Sequence, residues 1–491
     1  MTPKKLRQSL LAEHNNHNNT RRKRIYDLLR HIPTFMFRFL RLLSFVFFLL
    51  PAFIVFLYHY LSCDRIAAYY GDKDATKSKK QVWFSRHYLD VYGSRTRANS
   101  NGDEDNQSKK PVVIFITGGA WIIGYRMWGC LLARALVPFG VLVIIPDYHN
   151  FPKVNIRGMV DDVDMSIQWV MDNVENYGGD KNRVVLVGQS AGAHIGGVVV
   201  AKKVLDWIQH QRSSLHSGRS MNEDECRHLR STYSPMQIRG FITTSSPHNL
   251  VTMRSVFHRH GLSASVQRSI FGGTSGSNED IDLNDDATKT VSTSDDMDVF
   301  EKWSPYHLVK ACEIDHVRLI SEMNSSYNNS NVRNDSIGQL KDIFPNLCVV
   351  HGTEDKTVPV EEATEFLSLL SNLQIPALSK MYPGWSHTDL ILEKPMLGNH
   401  LYHRDVYEMV RLWTCGDVAT QDRFGVCKDF DYDRCIGEHK ADNVEVDRIV
   451  DDSTKAIKDD LILTQFDETH PILRPICPTT LVEMARVCNP F

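Results

Sequence analysis

The pattern of apolar and polar positions divides the chain sharply. From Leu42 to Cys63 (LLSFVFFLLPAFIVFLYHYLSC) no residue is formally charged and most side chains are large and apolar. At 1.5 Å rise per residue such a run is about as long as a bilayer core is thick, which predicts a transmembrane helix over 42–63, with Pro51 able to kink it or make it re-entrant. A cleaved signal peptide would have a shorter apolar region nearer the start and a small-residue cleavage site after it. Beyond a polar linker at 64–110, short continuous apolar runs begin: PVVIFIT at 111–117, VLVIIPDY at 141–148 and RVVLVG at 183–188. Uninterrupted runs rich in β-branched residues are what strands buried on both faces of a parallel sheet require. Between the second and third, Met159, Val163, Ile167, Val170 and Val174 recur at helical spacing over about 155–176. Further strands are predicted at 237–244, 346–351 and 376–382, and further helices near 360–373 and 400–414. Strand–helix alternation of this kind predicts an α/β fold with a doubly wound, mostly parallel sheet.

Two regions interrupt the alternation. Residues 209–235 are polar and read as irregular, and 272–297 is rich in Gly, Ser and Asp. Apolar residues between 250 and 310 point to a partly ordered lid over the sheet, and the catalytic domain is expected over 111–414 with insertions near 209–235 and 250–340. A tail over 415–491 holds Cys415, Cys427, Cys435, Cys477 and Cys488, an odd set whose spacing supports no pairing.

Charge adds topology. The basic segment 1–41 carries ten Lys or Arg against Glu13 and Asp27. The balance of basic residues on either side of the apolar run is close, faintly favouring a cytoplasmic start and a lumenal remainder. Sequons at Asn106, Asn324, Asn328 and Asn334, in stretches that read as loops, lean the same way. Over the whole chain 56 basic and 59 acidic residues leave a net charge of −3, which argues against a nucleic-acid binder. A hydrophobic fraction of 42% in 491 residues excludes a disordered chain. Ten cysteines are too few for a disulfide scaffold, and no Cys or His pattern has zinc-ligand spacing, so no structural metal is expected.

The chemistry starts at Gly188-Gln189-Ser190-Ala191-Gly192, a G-x-S-x-G between the strand RVVLV and a helix opening AHIGGVVV. Glycines on both sides leave room for a tight turn that presents Ser190 at the carboxyl end of the sheet. A serine hydroxyl needs a base, and the base needs an orienting carboxylate. In strand–turn–helix folds of this type those partners follow in the order acid, then His. Asp355, after NLCVVH, is the expected acid, with Glu354 as the alternative; His387, in MYPGWSHTD, is the expected base. His351 and His194 are expected to be structural. Thr117-Gly118-Gly119-Ala120-Trp121 follows the first apolar strand, where backbone N–H groups of Gly118, Gly119 and Ala120 can face an oxyanion together with the N–H of Ala191. Trp121, Tyr125 and Trp128 are expected either near the mouth of an apolar pocket or in the core.

With TGGAW, GQSAG, HGTED and SHTDL in hand, the chain resembles the isoprenylcysteine α-carbonyl methylesterases of the α/β-hydrolase superfamily and, more distantly, hormone-sensitive-lipase-like carboxylesterases. The likeness runs over about residues 85–415 and includes DYHNFP at 147–152, YGGDKNRV at 177–184, GFITTSSPHNL at 240–250 and WSPYHLV at 303–309. It implies a Ser190–Asp355–His387 triad, a carbonyl held by Gly118 to Ala120 and by Gln189 to Ala191, and no cofactor. It further implies a prenylated cysteine methyl ester as substrate, protein or small molecule, and a membrane-bound enzyme of the endoplasmic reticulum and Golgi apparatus in contact with lipid. Lipase-like relatives often carry His where this chain has Thr117, and the insertions leave the substrate fit open. A general carboxylesterase or lipase, an arylformamidase-like hydrolase, and an inactive hydrolase-fold protein that binds a lipid or a partner stand as alternatives. Oligomeric state is not legible.

Overall fold

The computed structural model describes residues 50–71, 85–94, 109–217, 232–272, 299–327, 339–415 and 465–488. These fall into two compact units, one holding residues 50–61 and 475–488 and the other residues 62–474.

The larger unit is built on a sheet in the order β1-β2-β4-β3-β5-β6-β7-β8. Its strands are β1 Arg65–Tyr69, β2 Tyr88–Tyr92, β3 Lys110–Ile116, β4 Leu142–Pro146, β5 Gly179–Gln189, β6 Ile238–Thr244, β7 Asn346–Gly352 and β8 Ala377–Tyr382. From β4 to β8 every neighbouring pair is parallel, while β1–β2 and β2–β4 are antiparallel. The expected mostly parallel α/β-hydrolase sheet is therefore present, with a hairpin added at one edge.

That hairpin corrects the expected linker at 64–110. The reason is physical: β1 has a half-exposed edge pattern, and β2 carries Asp90, fully buried and paired with Arg65 at 3.4 Å and Arg126 at 3.1 Å. A buried ion pair reads as polar in a sequence and hides the strand.

Helices cover both faces, as parallel strands demand. On one face α2 (Ile156–Asn173), α3 (Ala191–Ser217) and α6 (Pro305–Tyr327) enclose a core with Val112, Ile114, Ile116, Val184 and Leu186. The side chains that alternate with these point the other way. There α1 (Cys130–Leu136) and α7 (Leu401–Thr414) pack, with Tyr402, Val406 and Met409 against Ile242, Cys348 and Val350. The apolar stripe foreseen on α2 is wholly buried, and Asn155 caps its start by accepting from the N–H of Gly158.

The expected irregular segment 209–235 is helical as far as Ser217 because α3 continues, tied to α6 by Arg212 to Glu322 at 2.6 Å and by Gln209 to Asp315 at 3.0 Å. Within 250–340 stand α4 (Leu250–Arg259), α5 (Ala264–Phe271) and α6. Asn324 lies in the last turn of α6 rather than in a loop. Asn106, Asn328 and Asn334 lie outside the described residues, as do Cys427 and Cys435. Cys415 and Cys477 are free thiols.

The expected tail also contributes to the larger unit. The Phe466 ring lies tilted with its centroid 4.5 Å from that of Phe139 and 5.5 Å from that of Tyr407, Arg134 donates to the Ile472 carbonyl at 2.9 Å, and His400 Nε2–H donates to the Leu473 carbonyl at 2.9 Å.

In the smaller unit residues 50–61 are helical, with Ala52, Phe56 and Tyr60 buried on one side. Leu50, Ile54, Tyr58 and Leu61 form an exposed stripe at helical spacing. Of the expected span, residues 42–49 lie outside the described residues. Among the described residues no helix is long and apolar enough to cross a membrane.

Candidate active site

Ser190 sits between β5 and α3 with φ of 53°, a left-handed value that a non-glycine residue adopts only under constraint. The flanking glycines supply the constraint. A Cβ on Gly188 would lie 2.5 Å from the Ala193 Cα, and one on Gly192 would lie 2.2 Å from the Ile116 carbonyl oxygen. The turn is thus as tight as the G-x-S-x-G spacing predicts, and the Ser190 N–H is anchored on the Thr244 carbonyl at 2.8 Å.

The structure brings the three expected residues into one chain of hydrogen bonds. His387 Nε2 is 2.9 Å from Ser190 Oγ, and His387 Nδ1 is 2.7 Å from Asp355 Oδ2. The second Asp355 oxygen accepts from the N–H groups of Thr357 and Val358, both at 2.9 Å. Burial alone would raise the Asp355 carboxyl, but His387, His351 and the Val358 N–H outweigh it and hold it below its usual range. Glu354, the alternative acid, is exposed and stands apart from the chain.

The loops bearing Asp355 and His387 are fixed to each other by backbone: Thr353 N–H donates to the Tyr382 carbonyl, Glu354 N–H to the Trp385 carbonyl, and Gly384 N–H to the Thr353 hydroxyl. Gly352 permits this approach, since a Cβ there would lie 2.3 Å from the Trp385 carbonyl oxygen.

Gly118 lies against the serine; a Cβ on it would meet Gln189 Oε1 at 2.3 Å and Ser190 Cβ at 2.9 Å. The turn that follows is strained, with φ of 132° at Gly119, 48° at Ala120 and 63° at Trp121. Ala191 opens α3, where the first N–H groups lack partners within the helix. Gly118 thus lies directly against Gln189 and Ser190, while Gly119 and Ala120 continue the turn after β3 and Ala191 follows the serine after β5.

The two other histidines are structural as expected. His194 accepts from the Trp121 indole at 3.3 Å and donates to the Trp303 carbonyl at 2.8 Å; burial lowers it to about 4. His351 donates to the Val358 carbonyl at 2.8 Å, and burial lowers it too. Of the aromatic residues weighed for the mouth, Trp121 belongs to the core, edge-on to Phe257 and Phe271, while Tyr125 and Trp128 are half-buried. Beside Trp121, Ile123 is 61% exposed.

Sequence spacing missed a group that folding assembles. His87, His149 and Asp162 place three potential metal-ligating atoms within 4.8 Å of one another. All are already engaged: both histidines bond Asp162 at 2.8 Å, and the other His149 nitrogen accepts from the Arg86 N–H at 3.2 Å. Burial would raise the Asp162 carboxyl, yet these bonds bring it down to about 2. The group fits a hydrogen-bonded brace between β2, the segment after β4 and α2.

A family model described as BD-FAE matches residues 102–296, and the prolyl oligopeptidase family model matches residues 279–413. A protein of Oryza sativa subsp. japonica named "Probable isoprenylcysteine alpha-carbonyl methylesterase" is 30% identical over 74% of this chain and 66% of its own length. The isoprenylcysteine alpha-carbonyl methylesterase of Arabidopsis thaliana is 29% identical over 76% of this chain and 69% of its own. Among solved structures, esterase B from Lactobacillus rhamnosis covers 76% of this chain and 95% of that chain, with 14% identity and a TM-score of 0.46. The chain belongs to the α/β hydrolases of the carboxylic ester hydrolase type, as a relative of the isoprenylcysteine α-carbonyl methylesterases.

Proposed function

We propose that this chain is a membrane-anchored serine esterase that removes the methyl ester from a prenylated C-terminal cysteine. The observation that carries the reading is the Ser190–His387–Asp355 hydrogen-bond chain closing beside the strained Gly118–Ala120 turn. In this reading His387 takes the Ser190 proton as Oγ attacks the ester carbonyl, and Asp355 holds the imidazole and stabilises its charged form. Backbone N–H groups of the turn and of Ala191 hold the oxyanion. His387 then returns the proton to the departing methoxide, methanol leaves, and water activated by the same histidine hydrolyses the acyl-enzyme. The names of the relatives support a prenylcysteine methyl ester as the substrate.

Membrane attachment rests on the apolar run at 42–63 and on the exposed stripe of Leu50, Ile54, Tyr58 and Leu61. A tether at a bilayer favours a substrate whose prenyl tail partitions there. Residence in the endoplasmic reticulum and Golgi apparatus belongs to the same proposal.

The test is hydrolysis of farnesylcysteine methyl ester beside a short p-nitrophenyl ester, by the detergent-solubilised protein and by Ser190→Ala. Turnover of the prenyl ester well above the short one, lost in Ser190→Ala, is the expected result. Serine-dependent turnover of the short ester alone would make the chain a general carboxylesterase. No turnover of either by folded protein would leave an inactive binder.

A further inference from the structure

The turn at 117–124 is held in place by the segment that follows β4. Tyr148 donates its hydroxyl to the Thr117 carbonyl at 2.8 Å, and the Phe151 N–H donates to the Trp121 carbonyl at 2.9 Å. Between them the buried Asn150 uses both amide hydrogens, one on the Ile122 carbonyl and one on the Gly124 carbonyl, each at 2.9 Å. Asp147 completes the strap through Arg86, whose guanidinium bonds both the Asp147 carboxylate and the Gly124 carbonyl. Every acceptor in the turn is a backbone carbonyl.

This matters because the turn is an unfavourable shape. Ala120 and Trp121 hold positive φ, a conformation that is unfavourable for non-glycine residues and survives only where the surroundings over-determine it. Inside the turn, the N–H groups of Ile122 and Ile123 both go to the Gly119 carbonyl. The N–H groups of Gly119 and Ala120 are not spent on protein acceptors among the described residues, so the strap consumes carbonyls and leaves those donors for a ligand.

We propose that Asn150 is a positioning residue for ester hydrolysis: it locks the anion-stabilising turn through its paired bonds to Ile122 and Gly124. The proposal rests on the reading of Ser190 as the nucleophile. The side chain touches no reacting atom and acts only through the carbonyls it holds.

Asn150→Asp keeps the shape but turns lone pairs toward two carbonyls. Loss of a whole oxyanion donor typically costs about 10²–10³ in rate, and a displaced turn forfeits part of that. The expected outcome is a fall in kcat of about 10–100-fold on a short p-nitrophenyl ester, with KM within about twofold. Affinity for the uncleaved ester, measured by titration in the Ser190→Ala background, stays unchanged when Asn150→Asp is added. Tyr148→Phe removes a single bond from the strap without adding charge and lowers kcat by a smaller factor. Wild-type kcat in both variants, with Ser190→Ala inactive, would overturn the proposal. So would equal losses of activity and of folded fraction in both variants, which would make the strap merely structural. Undiminished activity of Ser190→Ala would instead count against the reading of the site itself.

Discussion

Gly192→Ala tests the tightest contact around the reactive serine. The added methyl would sit 2.2 Å from the Ile116 carbonyl oxygen, 2.5 Å from that of Thr117 and 2.7 Å from the Ile116 carbonyl carbon. All three atoms are backbone at the end of the central strand β3, so no side-chain rotation relieves the overlap. Restoring ordinary contact requires the start of α3 to move away from β3 by about 1 Å. Overpacking of this kind costs about 1–3 kcal/mol, partly offset by the roughly 1 kcal/mol by which a helix prefers Ala to Gly. A net loss on the order of 1–2 kcal/mol lowers the melting temperature by a few degrees. Activity suffers more, because the same shift separates Ser190 and Ala191 from the Gly118–Ala120 turn. A misplacement of about 1 Å can cost about 10²-fold in kcat.

Gly196→Ala, one turn further along the helix, is the control. There the methyl would meet only side-chain atoms, Ile116 Cδ1 at 3.1 Å and the Phe241 ring at 3.2 Å. It should leave stability within about 1 kcal/mol of wild type and kcat unchanged. Calorimetry and p-nitrophenyl ester kinetics on the two variants decide the matter, and wild-type kcat in Gly192→Ala would refute the reasoning.

Asp355→Asn keeps the volume but removes the carboxylate that orients His387, so kcat should fall by about 10³–10⁴ with little change in KM, read by steady-state kinetics. Glu362, buried beside the Asn249 N–H and the Thr252 hydroxyl, has its carboxyl raised by burial to about 7. Because its folded value lies above its unfolded one, its stabilising contribution is complete below about pH 4.5 and lost as pH rises through about 7, by up to roughly 3 kcal/mol. Glu362→Gln should flatten that part of the stability–pH curve in denaturant titrations, and an unchanged slope would reject the assignment. Phe466→Ala removes a ring packed on Phe139 and Tyr407 and should cost about 3 kcal/mol in chemical denaturation while leaving kcat intact below the melting transition.

What the sequence disclosed follows from where each residue is buried. Strands β3 to β7 were legible because both of their faces are covered, leaving runs such as VVIFI and VVLV without a polar interruption. Strand β2 was not, since a single buried Asp90 breaks its run and the arginines that neutralise it are distant in sequence. The far end of α3 was hidden in the same way, being polar where it meets α6 through ion pairs. Ser190 was readable from its motif and His387 from order and position, while order left Glu354 as an alternative to Asp355; in the fold Asp355 is buried against His387 and Glu354 is exposed. The strap was invisible: DYHNFP stood out only as a resemblance, and nothing in its spacing announces that Tyr148, Asn150 and the Phe151 amide hold one turn.

The arrangement of the site across the sheet has a consequence for the life of the chain during synthesis. Ser190 is contributed at the end of β5, whereas its histidine comes 197 residues later, past β8 at the opposite edge. A ribosome-bound chain that ends before β8 holds Ser190 without His387, which has yet to be synthesised. On the proposed reading, the hydroxyl of Ser190 gains its base only once the chain beyond β8 has been made and folded back onto the end of β5.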